Sequence, residues 1–157
     1  MAIDYTRHNG SYYILASTDS SVRDIIIPRL IENITKFGLD NFDAIVFRGM
    51  SGALVAPIVG YLIKKPVVLV RKDKDSHSNY WVEGLYEVNR YIIIDDLISS
   101  GATMNEILKK MKDRHADNFS SPHECVGMFL YCDGRGADYK FSTTDGKTIP
   151  VSAFYIG

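Results

Sequence analysis

Residues 91–103 read YIIIDDLISSGAT, and no other stretch restricts the fold of this chain as much. Four successive apolar residues suit a strand buried on both faces. A strand with one wet face would alternate apolar and polar positions instead. A strand of that kind needs neighbours on both edges and helices above and below. Asp95 and Asp96 follow it directly, so two carboxylates leave the sheet together at its carboxyl end. Ser99–Thr103 then leads into a helix expected over 103–114. The first N–H groups of a helix lack intrahelical acceptors, and the helix dipole favours an anion there. Three hydroxyls add to that cradle, and Gly101 lets the backbone approach closely. Carboxylates accept hydrogen bonds from sugar hydroxyls, whereas a helix N-terminus favours phosphate, so the pair describes a sugar phosphate. The plainer alternative is that the aspartates end a strand and Ser99 or Ser100 caps the helix.

The same strand, turn, helix order recurs along the chain. Tyr12–Ala16 is a short strand candidate. A helix is expected from Ser21, with Asp24 at capping-box spacing and Gly38 as its stop, Pro28 either kinking it or marking a later start. A strand over 43–48 precedes a turn at 49–52 and an apolar helix over 53–63. A third strand covers 66–71, and 72–89 is a long polar connection with a hairpin around 81–85. Further strands fall at 124–132 and 149–156. This is an α/β pattern: an open, mostly parallel sheet flanked by helices, with a small hood from the termini. Ligands in such sheets bind at the carboxyl ends of the strands, so 48–52 and 95–103 should converge.

With 157 residues, 46% hydrophobic and 24% charged, the chain reads as one soluble domain, 1–157. A net charge of −1 gives no field for nucleic acid or an anionic membrane. Apolar runs are too short to span a bilayer, and MAIDYTRHNG lacks the apolar core of a secretory signal, so a cytoplasmic location is expected. Cys125 and Cys132 lie on one strand with opposite parity and cannot pair; buried thiols are expected. A P-loop and a dinucleotide-binding glycine motif are both absent, and a receiver domain would place its acidic pair much earlier.

IIIDDLISSGAT resembles the phosphoribosyl pyrophosphate motif of the type I phosphoribosyltransferases. That resemblance implies contacts from Asp95 and Asp96 to the ribose hydroxyls, and from Ser99, Ser100, Gly101, Ala102 and Thr103 to the 5′-phosphate. Arg48-Gly-Met-Ser-Gly52 is similar to the family's pyrophosphate turn, which often holds a non-proline cis peptide. Arg48, Gly49 and Arg71 would then bind pyrophosphate, with Gly49 and Gly52 aiming amides at it. Arg71-Lys-Asp-Lys-Asp-Ser-His77 resembles the mobile loop of orotate phosphoribosyltransferases, which makes 72–89 a flexible catalytic loop and Lys72, Lys74 and His77 the catalytic candidates. Mg²⁺ is the implied cofactor, near Asp95 and Asp96 directly or through water.

The implied partners are phosphoribosyl pyrophosphate and a nucleobase, with no membrane or nucleic acid. A homodimer is also implied, with Lys72 or Lys74 reaching the other subunit's site. The 6-oxopurine members carry an aspartate where this chain has Ser99, which favours orotate or another base. Residues 1–20 and 133–157 are left to form the hood, where Tyr139 or Phe141 faces the base or sits in a plain surface loop. The competing reading is a regulatory protein of the same fold that binds phosphoribosyl pyrophosphate or a nucleotide without turnover.

Overall fold

The central strand is buried as its sequence demands. A computed structural model describes residues 22–72, 80–84, 87–116 and 123–155. Their strands are β1 (Ala44–Phe47), β2 (Val67–Val70), β3 (Val82–Gly84), β4 (Arg90–Asp95), β5 (Glu124–Leu130), β6 (Tyr139–Ser142) and β7 (Thr148–Ala153). They form one sheet in the order β3-β2-β1-β4-β5-β7-β6. The five inner strands run parallel, and the edge strands β3 and β6 are antiparallel to their neighbours. Strand β4 lies in the middle, and every residue from Tyr91 to Asp95 is buried.

Alternation along β4 divides the interior in two. Ile92 and Ile94 face one cluster with Ile45 and Phe47 of β1, closed by α1 (Ile27–Phe37) and the helix over 56–63. Tyr91 and Ile93 face the other, with Met104, Ile107 and Met111 of the helix Ala102–Ala116. Burying an aliphatic side chain of this size stabilises by about 1.5–3 kcal/mol, so both helix layers are anchored through this strand.

Several expectations change. Regular α-helix begins at Ile27 after a π-helical turn over Val22–Ile26, with Pro28 in its first turn, so the proline marks a later start. The proposed cap Ser21 and the strand Tyr12–Ala16 lie outside the described residues. The turn at 49–52 is itself helical, α2 (Gly49–Ala53), and α3 (Ala56–Ile63) follows separately with Pro57 in its first turn. Residues 139–153 add a β-hairpin to the sheet, closed by Thr143–Lys147 with Gly146 at φ 83°. These residues of the proposed hood are therefore strands of the central sheet, with β6 at its edge. Phe141 is buried in the second cluster. The helix Ala102–Ala116 is α4. Neither Cys125 nor Cys132 forms a disulfide among the described residues, and burial pushes the Cys125 thiol up to about 12. Among the described residues no helix is long and apolar enough to cross a membrane.

The small residues of GALVAPIVGYLI turn inward. A Cβ on Gly60 would lie 2.8 Å from Lys65 O and 2.8 Å from Val67 Cγ1, so α3 packs its small face on the sheet. Gly60→Ala should cost about 1–3 kcal/mol by overpacking, whereas Lys112→Ala, at an exposed position of α4, should stay within about 0.5 kcal/mol of the parent. Denaturant midpoints of the two variants check this; equal midpoints would contradict the packing.

Candidate active site

Three segments meet at the carboxyl ends of β1 and β4 around a pocket of about 220 Å³. The first is the Arg48–Ser51 turn, the second Asp95 and Asp96, and the third the Ser99–Met104 loop and helix start. Asp95 ends β4 and is 5% exposed. Its Oδ1 accepts hydrogen bonds from Ser51 Oγ at 2.6 Å and Asp96 N at 2.9 Å. Asp96 Oδ1 accepts from Leu97 N at 2.8 Å, and its side chain is more open than that of Asp95. The second carboxylate is the better placed to meet a solute.

The loop into α4 has a built wall. Gly101 adopts φ 82°, and a Cβ there would fall 2.9 Å from the Phe141 ring. Ser100 Oγ accepts the Ala102 N–H at 3.3 Å, and Gly101 O accepts the Asn105 N–H at 3.0 Å. The first-turn amides of Thr103 and Met104 therefore remain without a backbone acceptor among the described residues. Together with the hydroxyls of Ser99, Ser100 and Thr103, they form the anion-favouring end of the pocket. Ala102 belongs to the helix start but does not line the pocket.

The Arg48 turn differs in part from expectation. Gly49 has φ 69°, and a Cβ on it would meet Lys72 Cε at 3.1 Å and Nζ at 3.4 Å. Lys72 thus lies over this turn within its own chain, where the sequence had offered it to a neighbouring subunit. Gly52 is a packing glycine against Phe47 and Ile94 O, so its hydrogen is required by sterics. Every peptide bond among the described residues is trans. Arg48 lines the pocket, but its Nη1 donates to Glu106 of α4. Arg71 does not line it and pairs with Glu83 at 2.6 Å. Lys74 and His77 lie outside the described residues.

Other contributors escaped notice in the sequence. Tyr131 Oη donates to Ser51 O at 2.8 Å and fixes the turn from the end of β5. Asp133, 3% exposed, accepts hydrogen bonds from Tyr139 Oη at 3.0 Å and Arg135 N at 3.0 Å. Arg135 Nη2 donates to Ile98 O, and its guanidinium lies over the Tyr139 ring, 4.4 Å from the centroid. These contacts brace the 97–101 loop from the chain's last quarter. Ser51 was within reach of the sequence because it sits inside RGMSG. Asp133 and Arg135 carry no local signal.

Desolvation pushes the Asp95 carboxyl up to about 7 from an ordinary 3.8, against the Ser51 hydrogen bond, with the neighbouring Asp96 charge adding to the rise. A raised native value means that the folded state holds the proton after the unfolded state has lost it. Stability from this group is therefore lost as pH rises from about 4 to 7. Asp95→Asn keeps an acceptor for Ser51 and removes the titration. Its stability relative to the parent should rise across that interval at up to about 1.4 kcal/mol per pH unit and level off above it. Thermal melts of both proteins over pH 4–8 measure the difference; a pH-independent gap would refute the assignment.

No family model matches the chain. It is 28% identical over 160 residues to a hypoxanthine/guanine phosphoribosyltransferase of Methanobacterium lacus, covering 87% of this chain and 84% of that one. It is 26% identical to the transcriptional regulator GfcR of Methanocella arvoryzae, with 69% of this chain and 55% of the regulator covered. The orotate phosphoribosyltransferase of Francisella tularensis superposes with a TM-score of 0.56 at 17% identity, over 80% of this chain and 61% of that enzyme. The chain spans little more than half of the regulator and about three-fifths of the orotate enzyme. With its acidic pair at the end of β4 and its hydroxyl loop leading into α4, this chain has the fold of the phosphoribosyltransferases and resembles the type I members in these two segments.

Proposed function

We propose that this protein transfers a 5-phosphoribosyl group from phosphoribosyl pyrophosphate to a nucleobase and releases pyrophosphate, with Mg²⁺ as cofactor. The observation that carries this reading is the meeting of Asp95, Asp96, the Ser99–Thr103 cradle, the Gly49 turn and Lys72 around one pocket. In it, Asp96 accepts hydrogen bonds from the ribose hydroxyls, with Asp95 behind it. The amides of Thr103 and Met104 and the surrounding hydroxyls hold the 5′-phosphate. Breaking the C1–oxygen bond leaves positive character on the ribose and negative charge on the departing pyrophosphate. Lys72, over the Gly49 turn, stabilises that charge as it develops. Lys74 and His77 are assigned to the same task from the sequence.

The donor set suits Mg²⁺. Among the described residues no three His, Cys, Asp or Glu side chains form a metal cage. Mg²⁺ needs none, because it keeps several waters and takes one or two carboxylates plus substrate oxygens. Asp95 and Asp96 would hold it, directly or through water, and its contribution when bound is neutralisation of pyrophosphate charge.

Ser99 offers the base a hydroxyl and no carboxylate, which favours orotate or adenine. The name of the Methanobacterium lacus relative favours hypoxanthine and guanine instead. The second reading, a regulator that binds without turnover, draws its support from the similarity to GfcR. In either case the assembly is a symmetric homodimer, for which the exposed Ile58, Tyr61 and Leu62 of α3 offer an apolar face. A monomer in sedimentation would remove the dimer.

The deciding experiment is pyrophosphate release over a panel of these four bases with phosphoribosyl pyrophosphate and Mg²⁺. Turnover on one base supports transfer, binding without turnover supports the regulator, and no binding at all excludes both. With the active base, Lys72→Ala should lower kcat by on the order of 10²-fold while changing substrate affinity far less, as expected for a contact made mainly in the transition state. Equal losses in affinity alone would make Lys72 a simple binding residue.

A further inference from the structure

Arg48 is among the most buried charges of the molecule, 9% exposed, and its Nε is buried with no partner among the described residues. Its Nη1 is bound by Glu106 Oε2 on the second turn of α4. The other oxygen of that carboxylate, Oε1, lies 3.1 Å from Lys110 Nζ, one turn further along. Lys110 Nζ donates in turn to Arg71 O at 2.8 Å and to Lys72 O at 3.4 Å. It also sits 3.9 Å from the centroid of the Trp81 ring. One carboxylate therefore joins the pocket's buried guanidinium to the backbone that begins and ends the polar 73–80 segment, since Arg71 N also binds Trp81 O at 2.9 Å.

We propose that Glu106 is a positioning residue: it holds Arg48 in the empty pocket, and an anion bound at Arg48 draws on the same guanidinium and is sensed, through Lys110, at the Lys72 backbone and Trp81. The reasoning is one of competition. A guanidinium has five donors in a fixed fork, and carboxylate and phosphate oxygens are its preferred acceptors. A pyrophosphate group over the Gly49 turn carries more charge than Glu106 and competes with it for Arg48, the one buried cation of the pocket among the described residues. As Arg48 turns to the ligand, the Glu106 carboxylate passes more fully to Lys110. Lys110 is only 13% exposed, and besides Glu106 its contacts are two carbonyls and an indole face, so any change at Glu106 redistributes them. The Arg48 contact also holds the Glu106 carboxyl below its usual range, so that it is charged at neutral pH. The consequence is that the turn receiving the leaving group and the residue meant to neutralise it are set by a common side chain on α4.

This inference rests on the pyrophosphate site proposed above, and its test separates the two. Trp81 is the sole tryptophan of the 157 residues, so indole fluorescence comes from this one position. Inorganic pyrophosphate with Mg²⁺ should bind by calorimetry and produce a saturable change in Trp81 emission with the same midpoint. Glu106→Gln should bind pyrophosphate at least as tightly as the parent and lose the emission change; Glu106→Asp should restore part of it. Lys110→Met, which leaves Arg48 and Glu106 in place, should likewise bind without the change, and it keeps the test decisive if the Glu106 variants fold poorly. Binding with silent Trp81 emission in the parent, or an emission change that survives both substitutions, overturns the Glu106 link and leaves the pyrophosphate site standing. Absence of calorimetric binding in the parent overturns the site and the link with it.

Discussion

Everything in this molecule is placed by the burial of β4 on both faces. Ile92 and Ile94 commit to one helix layer and Ile93 to the other, so the strand has no freedom to slide or rotate. A one-residue slip would exchange the two sets and dismantle both clusters. The end of such a strand is a fixed point, and the chain uses it to present Asp95. The same rigidity explains why a carboxylate can be held at 5% exposure, because the Ser51 hydroxyl and the Asp96 amide are delivered to it by elements locked on the same sheet. Its proton affinity is a by-product of that placement.

How much of this was readable from the residues depends on how local the cause is. The parallel core, the acidic pair and the hydroxyl loop are each written in a few consecutive residues, and the structure brings all three to one pocket. The break between α2 and α3 was half visible, since Pro57 forbids a continuous helical hydrogen-bond ladder and so ends one helix and starts another. The β6–β7 hairpin carried the cue of Asp145-Gly146 between alternating segments, which a reading of the tail as hood passed over.

What could not be read was long-range. Nothing near Glu106 announces that it meets Arg48, 58 positions earlier, nor near Asp133 that it braces a loop 35 positions away. Such pairs are fixed by which helix crosses which strand end, and that follows only once the sheet order is known. Gly52 shows the limit from the other side. As part of RGMSG it looked like a backbone made for anions, yet the contact that demands a glycine there is with the Phe47 side chain and Ile94 O. A motif reports that a residue is needed and leaves open what needs it.

Gly101 has its missing side chain filled by the ring of Phe141, so the back wall of the phosphate-favouring loop is supplied from the far edge of the sheet. The hairpin and the loop are therefore a single inherited unit. Lengthening the 143–147 turn would leave the wall where it is, but a shift of register between β6 and β7 would move Phe141 to the opposite face and open a hole behind the glycine. Variation in this part of the chain is thus free in its turn and closed in its pairing. A graft of the acidic pair and hydroxyl loop onto another sheet would have to bring the hairpin along.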